Sequence, residues 1–218
     1  VTAVSQPLAI ELSERFGRNV EFIPNSVDPV ELVRSGAVLG NPKWDLSPDK
    51  YALFVGRIEP EKRLDVLLNA WRKASASLPG YKLAVVGDST STAYGRECRR
   101  IAPDGVVFLG LQHDQRLAEL YSNAAIVVQP SVLEGMSLVL LEAAAYGRCI
   151  LATRIPENVA VLGDSGAYFE GDDVDELAAL MCRYLGSQGD RSLLGSRAQS
   201  AVTSKPSWRD IAITMEST

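Results

Sequence analysis

The sequence Pro130-Ser-Val-Leu-Glu-Gly-Met-Ser-Leu-Val-Leu-Leu-Glu-Ala-Ala-Ala-Tyr-Gly147 follows a short apolar run, 124–129, and joins a strand pattern to a helix pattern. The apolar run is typical of a buried parallel strand. The residues from about Ser137 to Gly147 predict a helix that is apolar on all sides and therefore buried. Glu142 lies inside this helix, and a buried carboxylate is costly unless it has hydrogen-bond partners. Its position therefore predicts hydrogen-bond partners for the carboxylate.

The start of this predicted helix has the properties of an anion-binding site. Its first backbone N–H groups lack acceptors within the helix, and the positive end of the helix dipole attracts negative charge. A phosphate held there would have Glu134 beside it, and Glu142, eight positions further along the chain, could accept hydrogen bonds from neutral hydroxyls. A diphosphate that joins a ribose and a hexose fits this arrangement. The residues predicted to form the cradle are Gly135, Met136, Ser137 and Leu138.

A structural alternative exists for the first of the two carboxylates. Ser131-x-x-Glu134 matches a capping box, in which the glutamate only satisfies a backbone N–H at a helix start. The spacing therefore predicts either a ligand contact or a local cap for Glu134, whereas Glu142 has no such local explanation.

The two glutamates and their surroundings resemble the E-x7-E signature of the family 4 glycosyltransferases, which have the GT-B fold. Pro-Ser precedes the first glutamate, seven residues separate the two, and Ala-x-Gly follows the second. The resemblance implies that Glu134 lies beside the donor sugar and that Glu142 binds the ribose hydroxyls. Because enzymes of this fold are typically metal-independent, it also implies no metal and no cofactor, with a nucleotide diphospho-sugar as substrate.

A second stretch, Phe54-Val-Gly-Arg-Ile-Glu-Pro-Glu-Lys-Arg-Leu-Asp-Val-Leu-Leu-Asn-Ala70, resembles another motif of that family. The resemblance implies that Arg57 and Lys62 bind the diphosphate of the donor. Fixed cations suit this role because negative charge grows on the nucleoside diphosphate as it leaves. The alternative is that both cations pair with Glu59 and Glu61 on the surface.

Two glycine loops complete the predicted nucleotide pocket. Val86-Gly-Asp-Ser89 resembles the family's Val-Gly-Asp-Gly loop, with Ser89 in place of the second glycine, and Phe108-Leu-Gly-Leu111 resembles the loop beside the nucleobase. In that family the backbone reads the base edge, so the side chains do not identify the base. The further residues predicted to bind the donor are Gly56, Asp88 and Leu111.

The chain from Lys50 onward alternates between strand and helix patterns. This alternation predicts an α/β fold with a doubly wound, mostly parallel, Rossmann-like sheet. The resemblance implies that this sheet forms one of the two halves of a GT-B glycosyltransferase. The predicted strands are 51–55, 83–86, 106–109, 124–129, 149–152 and 167–169, and the predicted helices are 62–77, 95–101, 115–122, 137–147, 174–185 and 190–201. Residues 30–49 are expected to form a surface connection and residues 155–159 a loop.

Five candidate residues fall just past the carboxyl end of a predicted strand, which is where ligands bind in open α/β sheets. They are Arg57, Asp88, Gly110, Glu134 and Thr153. The sequence therefore predicts that the chemistry gathers on one edge of the sheet.

The resemblance covers nearly the whole chain but only about half of a family enzyme. Residues 1–28 are interpreted as the remnant of an amino-terminal domain with the hinge, and residues 29–204 as the nucleotide-sugar donor-binding domain. Residues 205–218 are expected to form a helix that packs toward the missing half. In the hinge, Ser26 replaces the usual glycine. The missing partner would be an acceptor-binding domain, and exposed terminal segments predict mobile ends or self-association.

Composition excludes several classes of protein. With 218 residues, 46% of them apolar, the chain can form one full core, and its net charge of −5 argues against a general nucleic-acid surface. Cys98, Cys149 and Cys182 form no C-x-x-C and predict buried thiols in a reducing, cytoplasmic compartment. The sequence has no apolar run of 18 residues, so it predicts no transmembrane helix. A parent enzyme at the membrane periphery would attach through the missing half.

Two further features favour structural interpretations. Asp173-Val-Asp175 matches the D-x-D metal motif of another glycosyltransferase fold, but acidic residues at a helix start also suit the helix dipole. His113 is the only histidine, and without a second histidine or a paired cysteine a zinc site is not predicted.

The leading interpretation is the donor-binding domain of a retaining glycosyltransferase that uses a UDP-, GDP- or ADP-sugar. The chain alone should bind nucleotide with little transfer activity. The alternatives are a non-catalytic nucleotide-sugar binding module that works with a separate acceptor-binding chain, a plain doubly wound interaction domain, and a GT-B sugar-nucleotide epimerase.

Overall fold

The computed structural model describes residues 1–34 and 36–216. Residue 35, in the predicted connection, and residues 217 and 218, in the predicted carboxyl-terminal segment, lie outside the described residues. The strands are β1 (Thr2–Ala3), β2 (Glu21–Phe22), β3 (Tyr51–Val55), β4 (Lys82–Val86), β5 (Val106–Gly110), β6 (Ile126–Gln129), β7 (Cys149–Thr153) and β8 (Ala167–Phe169). The α-helices are α1 (Gln6–Phe16), α2 (Leu64–Ala74), α3 (Ala93–Ile101), α4 (Asp114–Asn123), α5 (Leu138–Ala145), α6 (Pro156–Leu162), α7 (Val174–Gly186), α8 (Gln188–Thr203) and α9 (Trp208–Glu216). Within the described ranges, no helix combines the length and the apolar character needed to cross a membrane.

Strands β3 to β8 form one sheet of six parallel strands in the order β5-β4-β3-β6-β7-β8. The chain runs outward from β3 to β5, returns to place β6 beside β3, and continues outward to β8. The seam between β3 and β6 is therefore the topological switch point, where open α/β sheets bind ligands. The predicted α/β, Rossmann-like fold is confirmed.

The central strands are continuous apolar runs because helices cover both faces of the sheet. Every residue of β3 and of β7 is buried. On one face, α2 and α7 enclose the fully buried Trp71. On the other face, α5 and α8 cover the sheet with leucine and alanine side chains. These two layers hold the strand ends of the switch point in fixed positions.

Helices α5 and α8 approach closely because Gly195 has no side chain. A Cβ at this position would overlap the carbonyl oxygen of Gly147. Gly147 itself lies just beyond α5 with φ +66°, a left-handed conformation that glycine adopts readily. The two glycines together allow α8 to pack against the end of α5.

Several predicted boundaries shift by one to three residues, and one predicted loop is a helix. The helix predicted from Lys62 begins only at Leu64, because Arg63 has φ +50° and separates it from a 3-10 turn at Pro60–Lys62. The loop predicted at 155–159 lies largely in helix α6, which begins at Pro156. Proline suits the first position of a helix because its missing N–H would have no helical acceptor there.

The predicted surface connection 30–49 is partly buried. Val38 and Leu46 belong to the core. The buried carboxylate of Glu119 accepts hydrogen bonds from the backbone N–H groups of Val38 (3.0 Å) and Leu39 (2.8 Å). The connection is therefore anchored by a side chain of α4 rather than lying loosely on the surface.

The first 28 residues place α1 against a separate parallel pair, β1 with β2. Hydrogen bonds from two side chains help to join this segment to the rest of the chain. Asn25 Nδ2 donates to the carbonyl oxygen of Met136 over 3.1 Å, and the Ser26 hydroxyl donates to the carbonyl oxygen of Pro206 over 2.6 Å. The hinge-like segment thus contacts both the start of α5 and the segment that leads into α9.

Candidate functional site

The two motif stretches meet where β3 and β6 end. Lys62 Nζ lies 2.7 Å from Oε1 of Glu134, and the two side chains are only 15% and 9% exposed. The backbone supports the same junction, because the N–H of Val132 donates to the carbonyl oxygen of Glu61 over 3.0 Å. The stretches around Lys62 and Glu134 therefore form one structural unit.

The two predicted cations have different surroundings. The Arg57 side chain is 77% exposed, and its guanidinium lies 3.6 Å from Glu61, as the surface alternative predicted. For Lys62 that alternative is wrong, because its ammonium pairs with Glu134 across the switch point. An exposed ion pair contributes little to stability, so Arg57 could exchange Glu61 for a ligand at small cost.

Helix α5 begins at Leu138, and Ser137 is its N-cap. The capping box of Ser131 and Glu134 is not formed, since no side-chain cap bond exists at this helix start and the Glu134 carboxylate accepts from Lys62 instead. Among the described residues, the backbone N–H groups of 135–138 donate to no protein acceptor. Gly135, Met136, Ser137 and Leu138 therefore form an open row of donors next to Glu134.

Glu142 lies on the wall of a cleft of about 500 Å³ with Tyr121 and Tyr146. The Tyr121 hydroxyl donates to Glu142 Oε2 over 2.8 Å, and the two tyrosine rings stack with their centroids 5.4 Å apart. Burial raises the pKa of the Glu142 carboxyl, and the hydrogen bond from Tyr121 opposes that rise. Helix α5 is not buried on all sides as predicted, because Glu142 is half-buried and Leu138 is 48% exposed.

Gly56 and Leu111 lie along the same edge of the sheet. Gly56 comes directly after β3, and Gly87 comes directly after the neighbouring β4. The two backbones are so close that a Cβ at Gly87 would overlap the carbonyl oxygen of Gly56. Leu111 is exposed just beyond β5. In the part of the chain that the structure describes, neither residue is hydrogen-bonded to Lys62 or Glu134. They can form the border of a pocket but not its charged centre.

Asp88 shapes its own loop. Its Oδ1 atom accepts hydrogen bonds from the backbone N–H of Thr90 (2.8 Å) and from the Thr90 hydroxyl (2.7 Å). These bonds lower the pKa of the Asp88 carboxyl to about 2. Asp88 therefore holds the turn after β4 in place and keeps a negative charge at the sheet edge.

The D-x-D stretch has the structural role that its helix position predicted. Asp173 is the N-cap of α7 and accepts from the backbone N–H of Glu176 over 2.8 Å, while Asp175 pairs with Lys73 at 2.6 Å. His113 occupies the N-cap position of α4 without a side-chain cap bond. Within residues 1–34 and 36–216, no three His, Cys, Asp or Glu side chains are grouped so as to hold a metal ion.

Sequence reasoning missed two residues that hold the carboxylates. Gln129 is 2% exposed, and its Nε2 donates to Glu134 Oε1 (2.5 Å) and to the Ser131 hydroxyl (2.9 Å). Tyr121, from α4, has the corresponding role for Glu142. A glutamine at the end of an apolar strand was an available signal for the first residue, whereas nothing in the local sequence indicated the second.

A family model and curated relatives of this chain both point to glycosyltransferases. The family model described as "Glycosyl transferases group 1" matches residues 49–187. D-inositol 3-phosphate glycosyltransferase of Mycobacterium avium is 33% identical over 170 residues, which cover 71% of this chain and 38% of that protein. The chain spans about two fifths of the length of the curated relatives that it matches.

Solved structures share the fold over the full chain. Sucrose-phosphate synthase of Thermosynechococcus elongatus is 26% identical with a TM-score of 0.81, covering 100% of this chain and 56% of that one. Anabaena HepE, solved in complex with UDP and glucose, is 18% identical with a TM-score of 0.82, covering 100% of this chain and 63% of that one. With its Rossmann-like half of a GT-B fold, this chain belongs to the group 1 glycosyl transferase family.

Proposed function

We propose that this chain is the donor-binding domain of a glycosyltransferase and that its donor is a nucleotide diphospho-sugar. The observation that carries the proposal is the Lys62–Glu134 pair beside the open N–H groups at the start of α5. A cation and a row of backbone donors suit a diphosphate, and an adjacent carboxylate suits the hydroxyls of the attached sugar. UDP, GDP and ADP are the candidate nucleotides.

In the proposed complex, the diphosphate lies over the N–H groups of residues 135–138. Lys62 binds a phosphate oxygen while Glu134 keeps its ammonium in place, and Arg57 exchanges Glu61 for the diphosphate. These fixed positive charges stabilise the leaving group as its negative charge grows. The scheme therefore requires neither a divalent cation nor an organic cofactor.

The nucleoside occupies the cleft beside Glu142 in this proposal. One carboxylate oxygen of Glu142 already accepts from Tyr121, which leaves the other oxygen for the ribose hydroxyls. The loops at Gly56, Asp88 and Leu111 complete the pocket, and the backbone near Leu111 contacts the base. Glu142 thus orients the donor and takes no part in bond breaking.

The proposed transfer breaks the bond between the anomeric carbon and the β-phosphate oxygen, and the acceptor oxygen bonds to the same carbon. The acceptor's proton leaves on the nucleoside diphosphate. By resemblance to the family 4 enzymes, the new bond forms on the same face of the sugar as the old one. Glu134, held by Lys62 and Gln129, accepts hydrogen bonds from the sugar hydroxyls.

We further propose that residues 29–204 carry the donor site and that residues 1–28 and 205–218 connect it to an acceptor-binding domain. The hydrogen bond from Ser26 to Pro206 supports this, because it joins the two outer segments. The presence of UDP and glucose in the complex of Anabaena HepE, which has the same fold, supports a nucleotide-sugar donor. Exposed apolar side chains in the outer segments would support docking or self-association, and they include Val1, Ile10, Phe16 and Trp208.

The test is calorimetric titration of the purified chain with UDP, GDP and ADP, first without added metal and then with EDTA. We expect one nucleotide to bind under both conditions, and both Lys62→Ala and Glu142→Ala to weaken it at least tenfold. Lys73→Ala is the matched control, because Lys73 forms an exposed ion pair with Asp175 and, among the described residues, is hydrogen-bonded to neither Lys62 nor Glu134. Failure of all three nucleotides to bind, here and in a longer protein with the acceptor-binding domain restored, would refute the proposal. Nucleotide binding without transfer in the longer protein would favour the non-catalytic binding module.

A further inference from the structure

A second cleft opens at the opposite end of the sheet, where β3, β6 and β7 begin. It has a volume of about 390 Å³. Its walls include Asp49, Ala125 and Arg148, which lie one or two residues before the starts of these strands. Gln188 and Arg191, from the first turn of α8, also line it. The cleft is therefore separate from the edge that carries Lys62 and Glu134.

Three arginines line this second cleft: Arg34, Arg148 and Arg191. Arg191 is only 9% exposed, and its Nη1 donates to the carbonyl oxygens of Tyr184 (2.9 Å) and Leu185 (2.8 Å). Both of these bonds use Nη1, so the N–H groups on Nε and Nη2 are left for another acceptor.

Arg148 is held in a similar way. Its Nε donates to the carbonyl oxygen of Tyr146 over 2.9 Å, and its Nη1 donates to that of Ala124 over 3.1 Å. Burial lowers the pKa of the Arg148 guanidinium, Asp49 opposes this, and the charges of Arg191 and Arg34 lower it further. The charges of Arg34 and Arg191 therefore act on the Arg148 guanidinium, and all three residues line the same cleft.

The positive charge in this cleft is not balanced within the described residues. No carboxylate lies within 4.0 Å of any of the three guanidinium groups in that part of the chain. Asp49 is the single acidic side chain among the described lining residues. An excess of two positive charges remains, which a dianion would neutralise.

We propose that this cleft binds a phosphate-bearing small molecule, with Arg34, Arg148 and Arg191 around the phosphate. Guanidinium groups present planar pairs of N–H donors that match phosphate oxygens, and a phosphate dianion matches the excess charge better than a single carboxylate. The cleft exceeds the size of a phosphate ion. The organic part of the ligand therefore has room beside the polar side chains of Gln188 and Ser192.

The test uses inorganic phosphate and pyrophosphate as probes in calorimetric titrations of the whole chain, with sodium chloride matching the ionic strength. The titrations are made on the Lys62→Met variant, in which diphosphate binding at the donor edge is weakened, and substitutions in the second cleft then assign the binding that remains. We expect saturable binding with a Kd below about 1 mM. No saturation up to 10 mM would overturn the proposal.

Substitutions then locate the site. Arg34→Gln changes an exposed side chain, so the fold is retained, and it should weaken binding at least fivefold. Arg148→Gln should weaken it further. Arg197→Gln is the matched control, because Arg197 is exposed on the same helix as Arg191 but outside the cleft. The proposal would be overturned if Arg34→Gln bound phosphate as tightly as the Lys62→Met protein with all three arginines. It would also be overturned if Arg197→Gln lost as much phosphate affinity as Arg34→Gln.

Discussion

Lys62 and Glu134 are separated by 72 residues in the sequence, yet Nζ of one lies 2.7 Å from Oε1 of the other. Both side chains are largely withdrawn from water. Water screens this pair less than it screens a surface ion pair, and removal of one partner leaves the other partly buried without its counter-charge. Removal of either partner alone should therefore destabilise the switch point even when no ligand is bound.

A double-mutant cycle on this pair tests that statement. For Lys62→Met, Glu134→Gln and the combined variant, we expect a coupling free energy of about 1–3 kcal/mol in urea unfolding. The exposed Lys73–Asp175 pair serves as the control, with a coupling of about 1 kcal/mol or less. Equal coupling free energies for the two pairs would show that the partly buried Lys62–Glu134 pair behaves like a surface ion pair.

Glu142 should reduce stability at neutral pH. Because its pKa is raised in the folded protein, mainly by burial, the folded state holds the proton more tightly than the unfolded state does. Its contribution therefore becomes unfavourable as the pH rises from the ordinary glutamate pKa of 4.5 through the folded value. We expect Glu142→Gln to have a higher Tm than the wild type at pH 7, and the gain to disappear below about pH 4.

Thermal unfolding between pH 3.5 and 7.5 measures this difference. Glu31→Gln is the matched control, since Glu31 is an exposed residue of the same cleft. A Tm gain that is independent of pH would show that the charge of Glu142 is not the cause. If the proposed donor site is correct, the same Glu142→Gln variant binds nucleotide more weakly despite its higher stability.

Glu119 should be a major stabilising residue outside the donor site. Glu119→Ala leaves two N–H groups, of Val38 and Leu39, without their acceptor and opens a cavity, so we expect a loss of about 2–4 kcal/mol. Urea unfolding checks the value. Glu97→Ala is the control, because the exposed pair of Glu97 with Arg100 should contribute little to stability. Losses of similar size in the two variants would refute the anchoring role.

Alanine substitutions at two glycines of α8 should change the stability of the protein in opposite directions. Gly195→Ala places a Cβ against the carbonyl oxygen of Gly147 and should destabilise the protein by about 1–3 kcal/mol. Gly189→Ala meets no atom within 4 Å and should stabilise it by about 0.4–1 kcal/mol, because it restricts the unfolded chain. Thermal unfolding of the two variants compares them directly, and a stable Gly195→Ala protein would contradict the close packing of α5 and α8.

The fold was predictable because buried parallel strands are short apolar runs and the helices between them are long enough to cover the sheet. The contact of Lys62 with Glu134 was harder to predict. It depends on the 3-10 turn before Arg63, and Arg63 has a left-handed conformation that no pattern indicates for an arginine. Gln129 was missed because its role depends on residues that only the folded sheet edge brings near it.

The same limit applies to Glu119 and Tyr121. Both lie on α4, whose sequence reads as an ordinary surface helix, and both act on residues from other parts of the chain. Glu119 contacts a backbone N–H 81 residues away, and Tyr121 contacts a carboxylate 21 residues away. Long-range hydrogen bonds of this kind leave no trace in local spacing.

The seam between β3 and β6 is the shortest strand pairing in the larger sheet, with two residue pairs, Ala52–Ile126 and Leu53–Val127. The groups proposed to hold the diphosphate lie on both sides of it, with Lys62 on one side and helix α5 on the other. A bound nucleotide would therefore hold together two half-sheets that share little backbone of their own, and it should slow amide hydrogen exchange along the seam. If the chain were cut in the loop after β5, neither fragment alone would retain the site, and nucleotide would promote their reassembly.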